Sequence, residues 1–109
     1  MAKKLNFEYK GKEYTLEYTR ESVKQMQREG FVSQDIINKP MIALPMLFAG
    51  AFKAHHKFDV KQKDIDEIFS LFKNKEALVE KLAEMYSEPM ETMLDDPTEG
   101  NAIAWEANF

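Results

Sequence analysis

Residues 40–56, PMIALPMLFAGAFKAHH, form the long apolar run of the chain and decide its fold. The apolar side chains recur at spacings of three and four, which predicts a helix. Small and apolar residues also occupy the other faces, so this helix must be buried on every side. A membrane span takes about 20 apolar residues, whereas this run is shorter, contains Pro45 and ends in His55 and His56. We therefore predict the central helix of a soluble protein, and whether one face stays free for a partner is left open.

Pro45 allows two interpretations of where this helix begins. Either the regular helix begins near Leu44, or it begins earlier and is kinked at Pro45, which lacks a backbone donor. Pro40 suits the first turn of a helix, where no donor is needed. We favour the first interpretation and predict a helix at about residues 43–57.

The composition restricts the class of protein. The 109 residues suffice for one domain, and the 44% hydrophobic and 31% charged residues are typical of a globular chain. The net charge of −4 argues against nucleic-acid binding, which needs an excess of Lys and Arg. The chain contains no Cys, and its first residues lack the apolar core of a signal peptide. We therefore expect a cytoplasmic protein.

Two strands are predicted before the central helix. Apolar and polar residues alternate there with a period of two, and the apolar positions are Leu5, Phe7, Tyr9, Tyr14, Leu16 and Tyr18. A β-hairpin over residues 5–18 follows. Since all apolar side chains must share one face, paired residue numbers must have an odd sum. A two-residue turn at Lys10-Gly11 pairs Phe7 with Tyr14, and a four-residue loop pairs Tyr9 with Tyr14.

The remaining apolar spacing predicts four further helices, at about residues 20–29, 60–72, 75–86 and 88–94. Thr19 is the expected cap of the first, and Gly30 its stop. Asp59 and Gln62 have the spacing of a capping box for the second. Asn74 is the expected cap of the third.

Pro89 predicts a break after the third of these helices, because it removes a backbone donor. Residues 96–109 lack a regular period, and we expect a flexible tail. Trp105 in this tail either belongs to a docking peptide or packs on the domain. The predicted fold class is α+β, mainly α: an N-terminal β-hairpin packed on four to five helices at residues 1–95, followed by the tail.

Motifs for chemistry are absent from the sequence. His55 and His56 are adjacent, so they point about 100° apart on a helix and do not form a metal-binding pair. Residues 95–106 superficially match a calcium loop, but Pro97 occupies a ligand position. No phosphate-binding glycine loop or nucleophile motif occurs. We therefore expect no enzyme activity, no metal and no cofactor.

The order of the segments resembles a known family. The segments are FEYKGKEYTLEYTRESVKQMQREGF (7–31), KPMIALPMLFAGAFKAHHKF (39–58), LVEKLAEMYSEP (78–89) and GNAIAWEANF (100–109). Together they resemble the tail assembly chaperones of long-tailed phages and prophages of Gram-positive bacteria. The resemblance spans nearly the whole chain and depends on the assembled order, since no segment is diagnostic alone.

The resemblance implies a role in virion morphogenesis without catalysis. A protein of this family binds the hydrophobic, helical tape measure protein in the host cytoplasm. It keeps that protein soluble until tail tube subunits polymerise around it, and it is absent from the finished virion. A longer product made by ribosomal frameshifting recruits the tail tube protein in such families.

The apolar composition suggests where such a client would bind. Seven Met residues supply adaptable side chains. The predicted surface consists of Met41, Met46, Leu47, Phe48 and Phe52, with Met90 and Met93 at its rim and Trp105 in the tail. Small residues would allow a client helix to approach closely, namely Ala43, Gly50, Ala51 and Ala54.

Two other classes of function remain as alternatives. In the first, the surplus apolar face closes a homo-oligomer of a structural or interaction protein of phage origin. In the second, the chain is a small regulator whose basic helix carries Arg20, Lys24 and Arg28, although Glu21 and Glu29 dilute this charge.

Overall fold

The computed structural model describes residues 3–97 and 99–109. Residues 1, 2 and 98 of the predicted domain and tail lie outside this described part. The elements are β1 (Lys4–Tyr9), β2 (Lys12–Glu17), α1 (Arg20–Arg28), α2 (Asp35–Asn38), α3 (Pro40–Gly50), α4 (Lys53–His56), α5 (Gln62–Leu71), α6 (Lys75–Thr92) and a 3-10 turn at Glu99–Asn101. The fold is α+β and mainly α, as predicted.

The two strands form an antiparallel hairpin with a two-residue turn. Phe7 pairs with Tyr14, and Tyr9 pairs with Lys12 next to the turn. Lys10 and Gly11 both have positive φ, 51° and 77°, which is the geometry that suits a two-residue hairpin. The structure confirms the register with the short turn and excludes the four-residue loop.

One face of the hairpin packs on the helices through aromatic rings. The ring centroids of Phe7 and Tyr14 are 5.2 Å apart in a stacked arrangement. Phe52 meets Tyr14 edge to face at 5.9 Å, and Phe48 meets Phe52 at 5.2 Å. Phe72 of the segment after α5 closes the cluster against Phe7 at 5.0 Å. This aromatic packing fixes the hairpin over the central helix, and such pairs add stability beyond their buried area.

The central helix begins earlier than predicted. α3 starts at Pro40 and continues through Pro45 to Gly50, so the favoured start near Leu44 was wrong. Pro40 stands at the first helical position, where its missing donor costs nothing. Pro45 removes only the bond to the carbonyl of Met41, and Met41 is exposed to water. The cost of Pro45 is therefore small enough for the helix to persist.

The predicted helix at residues 43–57 is also divided, because the chain tightens after Gly50. The N–H groups of Ala51 and Phe52 bond three residues back, to Phe48 and Ala49, instead of four. This tightening frees the carbonyl of Leu47, which accepts a hydrogen bond from the buried hydroxyl of Tyr18. The carbonyl of Ala51 accepts from the N–H of Glu17 at 3.1 Å. The end of β2 thus satisfies two carbonyls that the break between α3 and α4 exposes.

The predicted helix starts have mixed outcomes. Thr19 caps α1 as predicted, in a reciprocal capping box with Ser22. α5 begins without a side-chain cap, so the predicted capping box of Asp59 and Gln62 is wrong. The helix begins at Gln62, so Lys61 and not Asp59 occupies the cap position, and Asp59 binds Lys12 of the hairpin at 3.1 Å instead. Asn74 stands at the start of α6, but its side chain makes no capping bond.

The last long helix does not break at Pro89. α6 runs from Lys75 to Thr92, which corrects the predicted division into helices at 75–86 and 88–94. Contacts from distant residues hold its final turn: Arg20 donates to the carbonyl of Thr92 at 2.9 Å, and the N–H of Lys3 donates to Glu88 at 3.2 Å. These contacts offset the single donor that Pro89 lacks.

The C-terminal segment extends from the helical body. After the 3-10 turn at Glu99–Asn101, residues 102–109 have no regular secondary structure and are exposed. The radius of gyration is 16.5 Å, compared with about 13 Å for a compact chain of this length. The chain is therefore less compact than a typical globular domain of this length.

Candidate functional site

The predicted client surface is only partly a surface. Leu47, Phe48 and Phe52 are 0–2% exposed and form the centre of the core. Phe48 meets the rings of Phe69 and Phe72 at 5.1 and 5.6 Å. Because the aromatic face of the hairpin and α5 cover these side chains, the prediction that they line an open surface was wrong.

Three of the four small residues of the central stretch serve internal packing, whereas Ala54 is exposed. Ala43 and Ala51 are buried in the core. A Cβ at Gly50 would overlap the Sδ, Cε and Cγ atoms of Met26. The close approach at Gly50 is therefore between α1 and α3, and Met26 rather than a client helix occupies that place.

Met41 does lie on the surface, together with neighbours that were not predicted. Ile37, Met41 and Ile42 are 85%, 89% and 61% exposed at the bend between α2 and α3. We call these three residues the apolar corner. Met46, one turn further along α3, is half-buried and lines a groove of about 360 Å³ that includes Met26. Single exposed apolar residues are ordinary, but three such residues lie here within six positions of the chain, and clustered apolar exposure is a feature of interaction sites.

A second exposed apolar group lies at the end of α6. Met90 and Met93, the predicted rim of the client surface, are exposed, and so is Leu94. We call these three residues the α6 tip. The bond of Arg20 to the carbonyl of Thr92 fixes the helix end from which they project. Trp105 is 85% exposed in the tail, so it does not pack on the domain.

The two histidines have roles that the sequence did not reveal. The N–H of Thr15 donates to Nε2 of His56 at 3.0 Å. The proton of the neutral ring must then be on Nδ1, which lies 3.2 Å from Oδ1 of Asp59. Nε2 of His55 lies 2.7 Å from Oε1 of Glu17. Both side chains thus attach α4 to β2. This role could not be predicted from the sequence, because it depends on which elements become neighbours in the fold.

The ion pair next to this attachment joins Lys12 of β2 to Asp59 at 3.1 Å. The hydrogen bonds from Lys12 and then His56 hold the pKa of Asp59 below its usual value. Burial raises the pKa of the Tyr18 hydroxyl well above its usual value, with the nearby Tyr86 adding to the effect.

Within residues 3–97 and 99–109, no group of three or more His, Cys, Asp or Glu side chains is arranged to hold a metal ion.

The comparisons with known proteins place the chain in a family. The model of the family described as "Domain of unknown function (DUF5055)" matches residues 1–109. The chain therefore belongs to the DUF5055 family. No curated protein and no solved structure matches the chain. Among the helices that the structure describes, none is both long enough and apolar enough to cross a membrane.

Proposed function

We propose that the protein is a non-enzymatic tail assembly chaperone that binds an apolar helical segment of a phage tape measure protein and keeps it soluble. The observation that carries the proposal is the apolar corner at the bend between α2 and α3. Its three side chains remain exposed, although Ala43, Leu47 and Phe48 of the same stretch are buried in the core.

The chemistry of the exposed groups supports this role. A client helix presents apolar side chains at spacings of three and four, and a patch of Ile and Met side chains matches such a face. Met41 in the corner, and Met90 and Met93 at the α6 tip, add unbranched side chains that adapt to varied sequences. The net charge of −4 helps to keep a complex with an apolar client in solution.

The resemblance in segment order supplies the identity of the client. In this proposal the protein acts in the cytoplasm of the bacterial host and does not remain in the finished virion. A longer form made by frameshifting would recruit the tail tube protein.

Co-expression with a phage tape measure protein tests the proposal. The Met41→Asp/Ile42→Asp variant should leave the client insoluble, because charges replace the apolar contact. Phe58→Asp/Leu71→Asp is the matched control, since both side chains are exposed outside the corner and the variant introduces the same two charges. Both variants should retain the circular dichroism of the parent protein. Full client solubility with the corner variant, or equal loss with the control, would refute the proposed role of the corner.

A further inference from the structure

The outer edge of β1 has an open row of backbone groups. Because Tyr9 and Lys12 flank the two-residue turn, the backbone groups of Tyr9, Phe7 and Leu5 bond to β2. Those of Lys4, Asn6 and Glu8 point away from β2, and no described residue pairs with them. β1 contains neither a Pro nor a bulge, which commonly protect such an edge.

The other edge of the hairpin is closed, so the two edges differ. Along β2, the N–H of Glu17 bonds to the Ala51 carbonyl and that of Thr15 to Nε2 of His56. The side chains that face the helices are also less covered on β1 than on β2. Tyr14 and Leu16 of β2 are buried, whereas Leu5, Phe7 and Tyr9 of β1 are half-buried. The side chains of β1 therefore still have apolar surface that a strand beside them would cover.

The hairpin also carries an unfavourable charge pair next to the open edge. Glu8 and Glu13 are directly opposite each other in the register, and neither forms an ion pair with another described residue. Like charges at opposite positions destabilise a strand pair. A positive charge on the far side of Glu8 would relieve this repulsion.

We propose that β1 pairs with β1 of a second copy of this chain, antiparallel and about a two-fold axis at Asn6. In this register, Lys4 of each copy is opposite Glu8 of the other, and Leu5 is opposite Phe7. The edge residues then form about six backbone hydrogen bonds. The two hairpins become one four-stranded sheet with the helices of both copies on the same face, and the interface is self-complementary, as a two-fold dimer requires.

The charges select this register among the symmetric ones. An axis at Lys4 would set two lysines against each other, and an axis at Glu8 would set two glutamates against each other. An axis at Leu5 or Phe7 would pair one charged residue with Asn6. Only the axis at Asn6 puts opposite charges together, and it does so twice. The dimer does not depend on the proposed function.

Charge reversal tests both the edge and the register. Light-scattering mass measurements should show that the parent protein reaches a dimer with rising concentration. Glu8→Lys and Lys4→Glu should each be monomeric at those concentrations, because like charges now meet across the axis. Lys4→Glu also places a glutamate opposite Glu17 of its own hairpin, so its circular dichroism is measured to show that the fold stays native. The double swap should restore the dimer, and a mixture of the two single variants should form a heterodimer. Glu13→Lys is the matched control, with the same change of charge on β2, and should remain dimeric.

Hydrogen exchange distinguishes this interface from others. The amides of Lys4, Asn6 and Glu8 should be protected in the parent dimer and exchange freely in Glu8→Lys, whose circular dichroism should stay native. A chain truncated after Asn101 should remain dimeric. A monomeric parent protein, a dimer insensitive to both charge reversals, or loss of the dimer on truncation, which would identify the tail as the occupant of the edge, would overturn the proposal.

Discussion

The N–H of Glu17 donates to the carbonyl oxygen of Ala51 at 3.1 Å, across 34 positions of the sequence. The bond joins the last residue of β2 to the turn that separates α3 from α4. Glu17 also meets His55 through its side chain. The end of β2 and the break between α3 and α4 therefore satisfy each other's backbone hydrogen-bonding groups.

Replacing His56 by Ala should destabilise the protein by about 1–3 kcal/mol, because the half-buried N–H of Thr15 loses its acceptor. Urea unfolding measures the change. His55→Ala is the control, since the His55 side chain is more exposed and accepts no bond from the backbone. Equal losses for the two variants would contradict the assigned role of His56.

Replacing Tyr18 by Phe should cost about 1 kcal/mol near neutral pH, because the carbonyl of Leu47 loses the hydroxyl donor. The pH dependence should also change. Burial raises the pKa of Tyr18 in the folded state, so only the unfolded chain releases this proton above about pH 10.

The contribution of Tyr18 is thus complete below that pH and is lost as the pH rises towards the folded pKa. The stability of the parent protein should decline more steeply than that of Tyr18→Phe between neutral pH and about pH 11. Parallel curves of unfolding free energy against pH would show that Tyr18 is not the group responsible.

Replacing Phe48 by Ala should cost about 3–5 kcal/mol, because it leaves a cavity among Phe52, Phe69 and Phe72. The same change at Phe58, which is 92% exposed, should alter the free energy of unfolding little. Thermal unfolding compares the two variants. A small effect at Phe48 would mean that this side chain is available to a partner, as the sequence had suggested.

Trp105 is the single Trp of the chain and reports on the tail directly. Its fluorescence should have the emission of a hydrated indole and be quenched readily by iodide, because the side chain is exposed. Unfolding in urea should change this emission little. A strong red shift on unfolding would show that Trp105 packs on the domain.

The parts of the fold that the sequence predicted are those set by local pattern. The alternation of apolar and polar residues predicted the hairpin. Because its apolar side chains must share one face, only two registers were possible, and the structure has the one that pairs Phe7 with Tyr14. Thr19 was likewise predicted as the cap of α1 from its position before the helix, whereas its reciprocal bond with Ser22 was not predicted. The continuation of the helices through Pro45 and Pro89 was not predicted. Water around Met41 and contacts from distant residues to the last turn of α6 lower the cost of these two prolines, and a local pattern shows neither.

The candidate site was less predictable because exposure depends on which elements meet. Phe48 and Met41 belong to one apolar run, yet the hairpin and α5 cover the first and leave the second open. Asp59 has the spacing of a helix cap, but Lys12, 47 positions earlier, binds it. Which residues of an apolar run are buried in the core and which form a surface therefore depends on the elements that pack against the run.

The junction of β2 with α4 has a consequence for the order of folding. During synthesis the hairpin emerges first, but the outer edge of β2 finds its acceptors only when Ala51 and His56 have followed. The edge therefore completes its bonding together with collapse of the central helix, in one cooperative step. In pulse-labelling exchange, the amides of Thr15 and Glu17 should gain protection in the same kinetic phase as the amides of α3, later than those between β1 and β2.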